Sequence, residues 1–108
     1  MDRITGPIMS IDAATRSGFC VGLPGDRSPR SGSVVLKKPG EHRRIAFDNL
    51  MAWLADEFTK YPLPALIVVE ELLPLQAFKR VRSSTENIRL QYGLHTVIEL
   101  MSWRAGLR

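Results

Sequence analysis

The 108-residue sequence predicts an α/β domain built on a mixed sheet, a three-stranded meander plus one parallel strand, with helices packed on it. Three observations lead there. Two short apolar runs near the N-terminus are joined by a few polar residues that include a glycine, as in a β-hairpin. An apolar stripe at spacings of three and four follows, as in a helix. A continuously apolar run rich in β-branched residues comes next, as in a strand buried on both faces.

Taken in order, Pro7 to Ala13 is the first apolar run and ends on Asp12 and Ala13. Thr15-Arg16-Ser17-Gly18 reads as the turn, and Phe19 to Leu23 as the second strand. The stretch from Leu23 to Ser31, rich in Pro, Gly, Asp and Ser, reads as a surface loop. Gly32 to Leu36 makes the third strand of the meander. After Pro39-Gly40 a helix is expected from about Glu41. Its apolar stripe is Phe47, Leu50, Met51, Leu54, Phe58 and Tyr61, with Arg43, Arg44, Asp48, Asp56 and Lys60 off it. Pro62 and Pro64 stop that helix, and Ala65 to Val69 is the central strand, ending on Glu70-Glu71. A basic, irregular stretch from Leu72 to Ser84 leads to a second helix, opened by a capping box at Ser83 and Glu86. Leu90, Gly93, Leu94, Val97, Ile98 and Met101 form its apolar face, with Gly93 placed for close packing on the sheet.

Bulk composition narrows the function classes. Hydrophobic residues make up 44% and charged residues 24%, the mixture of an ordinary globular domain. The length predicts a single domain, 1–108. A net charge of +4 favours an anionic partner, nucleic acid first among them. With Cys20 alone there is no internal disulfide and no thiolate zinc site, and Cys20 reads as a buried structural thiol. No apolar run approaches the ~20 residues that cross a bilayer, and the first residues lack the apolar stretch of a signal peptide, so no membrane association is expected. His42 and His95 lie apart and lack metal-ligand spacing, and Trp53 and Trp103 read as packing residues.

Asp12 and Glu70 carry the chemistry, because each stands at the end of an apolar strand, where a carboxylate needs a hydrogen-bond partner or a cation. If the two strands are parallel neighbours, their ends lie ~5 Å apart and one Mg²⁺ could bridge both side chains. A hard divalent cation held this way serves in-line phosphodiester cleavage. The other reading of the same residues is that Asp12 caps the hairpin turn and Glu70 faces water.

Ile8 to Gly22, reading I-M-S-I-D-A-A-T-R-S-G-F-C-V-G, resembles the first catalytic motif of RuvC-like Holliday junction resolvases: an apolar strand, an Asp, a short turn, a Gly and a second apolar strand. Pro64 to Leu72, reading P-A-L-I-V-V-E-E-L, resembles their second motif, an apolar strand ending in a catalytic Glu. Motif order and the helix between also fit, and phage and prophage members of the family look most similar. Ala13 stands where the family often has Pro. The resemblance implies a ribonuclease-H-like fold and a Mg²⁺- or Mn²⁺-dependent endonuclease acting on branched DNA. Asp12 and Glu70 would be catalytic metal ligands, with Glu71 taking over if the register is off by one. The expected setting is the cytoplasm of a bacterial or phage-encoded system, and the expected assembly is a homodimer, since a four-way junction offers two symmetric cleavage points.

The family pattern continues with a further strand and a helix bearing one or two more Asp residues, whereas here no acid follows Glu99 and the chain ends at Arg108. The domain is therefore expected to be C-terminally incomplete and inactive alone. An exposed sheet edge and apolar face should result, which a second copy could cover. Phe78, Lys79, Arg80 and Arg82, following Glu70, are expected to contact DNA through phosphates and base stacking. Two other readings compete. One is a non-catalytic module binding branched DNA or a partner. The other is a sugar-kinase or actin-like ATPase lobe, for which the hairpin turn is poor in phosphate-holding residues and the chain is short.

Overall fold

The structure, a computed structural model, describes residues 6–70 and 85–107. Its elements run β1 (Ile8–Asp12), β2 (Arg16–Gly22), β3 (Arg30–Val35), α1 (Arg43–Lys60), β4 (Leu66–Val69) and α2 (Thr85–Arg104). They form one four-stranded sheet in the order β3-β2-β1-β4. β1 to β3 are an antiparallel meander, and β4 lies parallel to β1. The predicted mixed sheet with flanking helices is what the chain forms.

The hairpin turn is tighter than the sequence suggests. β2 already begins at Arg16, because buried Ser17 closes the turn with its own side chain. Its Oγ donates to the Ala14 carbonyl at 2.8 Å and accepts from the Ala14 N–H at 3.1 Å. Gly18, expected in the turn, is thereby drawn into the strand directly opposite Asp12.

Alternation along β1 sets the two faces of the sheet. Met9 and Ile11 point into the core with Ala13, while Ser10 and Asp12 are exposed. Both helices pack on the Met9 side. The core there joins Met9, Ile11, Leu36, Ala46, Leu50, Leu54, Leu90, Leu94 and Ile98. The predicted α2 face is correct, but Gly93 packs against the Phe47 ring of α1 rather than on the sheet.

α1 starts two residues later than expected, with His42 as N-cap accepting from the Arg44 N–H through Nδ1 at 3.1 Å. Its buried line is Ala46, Leu50, Leu54 and Glu57, with Phe47 and Phe58 at the margin and Tyr61 exposed as C-cap. Spacing alone could not place a carboxylate there. Glu57 is tolerated because Arg30 of β3 donates to its Oε1 from Nη1 at 2.8 Å. The Arg30 guanidinium also lies 3.9 Å from the Tyr61 ring centroid and 5.6 Å from that of Phe19. Phe19 in turn meets Trp53 at 5.0 Å between centroids.

Three expectations are corrected. β4 is an edge strand among the described residues, pairing only with β1, and Val68 is 47% exposed on the face away from the helices. A run of β-branched residues cannot report which side of it lacks a neighbour. Trp103 is exposed rather than packed, and with Leu100 it leaves apolar surface at the end of α2. Cys20 is half-buried on the same face as Ser10, its cross-strand partner. No described helix is long and apolar enough to cross a membrane. The Ser83–Glu86 capping box falls outside the residues whose side chains are described.

Candidate metal and nucleic-acid site

The site follows from strand register. β1 and β4 run parallel with Ile8 beside Leu66, Met9 beside Ile67, Ser10 beside Val68 and Ile11 beside Val69. Beyond the last pair, the Glu70 N–H donates to the Ile11 carbonyl at 3.3 Å, so the ladder carries Glu70 up to the level of Asp12. Both acids are exposed, at the ends of their strands. Each strand supplies its carboxylate by the same device: apolar residues anchor it in the sheet and the next residue emerges at the carboxyl end.

The two carboxyls interact. A hydrogen bond in which the Glu70 carboxyl donates to Asp12, and next the Asp12 negative charge, hold Glu70 above the usual carboxylate range, with a smaller contribution from burial. A cation placed between two such acids offsets their mutual repulsion. An oxygen-only pair of this kind suits Mg²⁺ or Mn²⁺, which prefer carboxylates and keep several waters. The residues therefore fit a hard divalent cation. Among the described residues no cluster of three or more His, Cys, Asp or Glu is placed to hold a metal.

Around the pair, a shallow groove of about 420 Å³ runs over the helix-free face of the sheet. Ser10, Asp12, Gly18, Cys20, Val68 and Glu70 line it. Its floor is small and uncharged, and its acids stand at one end. A larger groove of about 700 Å³ lies between β4 and α2, where Ile67 and Val69 meet His95, Ile98, Glu99 and Trp103. It contains none of the predicted ligands. Burial holds His95 there below its ordinary 6.5.

Of the predicted site residues, Asp12 and Glu70 are brought together. Glu71, Phe78, Lys79, Arg80 and Arg82 lie outside the described residues. Gly18 was read as the end of the turn and as the Gly of the first motif, and was not named among the site residues. The available signal was its place as the glycine that opens the second apolar run, Phe19 to Leu23, directly after the turn.

No family model matches this chain, and no curated protein matches it. Among solved structures it is similar to Thermus RuvC, described as "T. thermophilus RuvC in complex with Holliday junction substrate", with a TM-score of 0.72 and 14% identity. The match covers 94% of this chain and 60% of that one. The architecture, three antiparallel strands plus a parallel fourth with helices, is the ribonuclease-H-like fold of that neighbour.

Proposed function

We propose that this chain is the metal- and DNA-binding part of a ribonuclease-H-like endonuclease acting on branched DNA. The observation that carries the reading is the Asp12–Glu70 pair, set side by side at the carboxyl ends of adjacent parallel strands and opening on a groove. The fold shared with a protein solved on a Holliday junction supports it, as does the net charge of +4.

In this reading Asp12 and Glu70 are the catalytic carboxylates and hold Mg²⁺ or Mn²⁺. The cation supplies Lewis-acid activation of a phosphodiester and of the attacking water. Asp12 and Glu70 orient it at the strand ends, and the open sheet face receives the DNA strand. Glu71 takes the ligand role if the register beyond Glu70 shifts. Phe78, Lys79, Arg80 and Arg82, next in the chain, contact phosphates and an unpaired base. The working unit is a homodimer matched to the two-fold junction, in the cytoplasm of a bacterial or phage system.

A second reading is favoured by the absence of a third metal-ligating residue beside the pair among the described residues. In it the chain binds branched DNA without cutting it. One experiment separates the two: binding and cleavage of a labelled four-way DNA junction with Mg²⁺ or Mn²⁺, beside Asp12→Asn and Glu70→Gln. Paired nicks that vanish in both variants establish the nuclease. Binding without nicks assigns the non-catalytic module. A junction neither bound nor cut overturns both.

A further inference from the structure

Among the described residues, every glycine but one has a reason inside the fold. Gly25, Gly40 and Gly106 adopt positive φ, where a side chain is strained. At Gly6 and Gly22 an added Cβ would meet Ala65 at 2.9 Å and Pro29 at 2.8 Å. At Gly32 and Gly93 it would press on the rings of Phe19 and Phe47. Gly18 is the exception. Its φ is ordinary, it lies inside β2, and a Cβ there would meet nothing within 4 Å among the described residues.

Glycine in a strand interior weakens the strand and often marks a bulge, a tight bend, or a close approach by a ligand or another backbone; the unbroken pairing of Gly18 with Asp12 and Ser33 leaves the last. The place of Gly18 says which. It is paired with Asp12 across the hairpin, so its missing side chain would project on the same face as the Asp12 carboxylate. Both line the groove that also holds Glu70.

We propose that Gly18 is the seat of the substrate backbone: the sugar–phosphate of the DNA strand presented to Asp12 and Glu70 lies directly on the β2 main chain at this residue. The inference rests on the nuclease or DNA-binding reading above and deepens it by assigning a positioning residue that is neither a metal ligand nor basic. The space that the described residues leave beside the carboxylates is then a steric gate. A methyl group narrows it, and a β-branched side chain closes it, while the fold gains from the loss of a strand glycine.

The test measures four-way junction affinity in Ca²⁺, alongside thermal midpoint and Mn²⁺ affinity, for the wild type, Gly18→Ala, Gly18→Val and Ser33→Val. Ser33 is the partner of Gly18 on the side away from Asp12 and controls for bulk on the same face. Expected is junction binding weakened about ten-fold or more in Gly18→Val and less in Gly18→Ala. Thermal midpoints should be equal to or above the wild type, with Mn²⁺ affinity retained and Ser33→Val unchanged. Unaltered junction affinity in Gly18→Val overturns the proposal and leaves the DNA-binding reading standing. So does a lowered thermal midpoint in Gly18→Ala, which would give the glycine a structural reason, or an equal loss in Ser33→Val. A wild-type chain that binds no junction removes both the reading and this inference.

Discussion

Asp12 and Glu70 stand side by side at the carboxyl ends of β1 and β4, a closeness that holds the Glu70 carboxyl above its usual range and is imposed by the parallel register rather than by attraction between them. The sheet's apolar anchors, Ile11 and Val69, hold the strands at that register. Under the proposed function a divalent cation bound by the pair would offset the repulsion between the two carboxylates. Mg²⁺ or Mn²⁺ should therefore raise the thermal midpoint of the wild-type chain, by an increment that grows with the logarithm of cation concentration. Asp12→Asn should lose that increment while remaining folded without metal. Equal cation shifts in both proteins, followed by differential scanning fluorimetry, would remove the pair as the binding site.

The contact of Gly93 with Phe47 couples the two helices. Alanine is ordinarily the better helix residue by about 1 kcal/mol. Here its methyl would occupy the space of the Phe47 ring, so Gly93→Ala should destabilise by roughly 1–3 kcal/mol despite that gain. The double variant Gly93→Ala/Phe47→Leu should recover part of the loss, a non-additivity readable by urea denaturation. An additive pair of changes would sink the packing account.

Arg30 and Glu57 form the charge pair that pins β3 to α1. Arg30→Ala strands a carboxylate that is only 6% exposed, and should cost about 2–4 kcal/mol, less than a wholly buried pair because Arg30 is 35% exposed. Arg30 also gives up its stacking on Tyr61. Glu57→Gln keeps an acceptor at the same place and should cost less than Arg30→Ala. Chemical denaturation of the two variants tests the order, and the reverse order would place the energy in the pair's charge rather than in the burial of Glu57.

Burial in the groove between β4 and α2 holds the His95 pKa below its ordinary value. Its folded-state pKa is depressed, so folding favours the unprotonated ring. That contribution is whole above the ordinary value of 6.5 and is lost as pH falls below it, because the unfolded chain takes up the proton first. NMR titration should find the His95 midpoint below 6.5, and His95→Gln should flatten the fall in stability between about pH 7 and 5. A midpoint at or above 6.5 would mean that the groove is wetter than its lining implies.

Local pattern determined a good deal of this protein. The order of strands and helices, the apolar face of α2 and the positions of Asp12 and Glu70 at strand ends all follow from side-chain periodicity, which acts over a few residues and is written into the sequence. What depends on partners distant along the chain was left to the tertiary structure. Glu57 is buried only because Arg30, twenty-seven residues away, reaches it. Among the described residues β4 is an edge strand, and Val68 is half exposed because both helices cover the other face, neither of which a β-branched run reveals. Gly18 moved from an expected turn into a strand opposite Asp12 because Ser17 closed the turn early. Periodicity reports the side on which a residue lies, but only packing decides what lies across from it, and the candidate site is made by what lies across from Asp12.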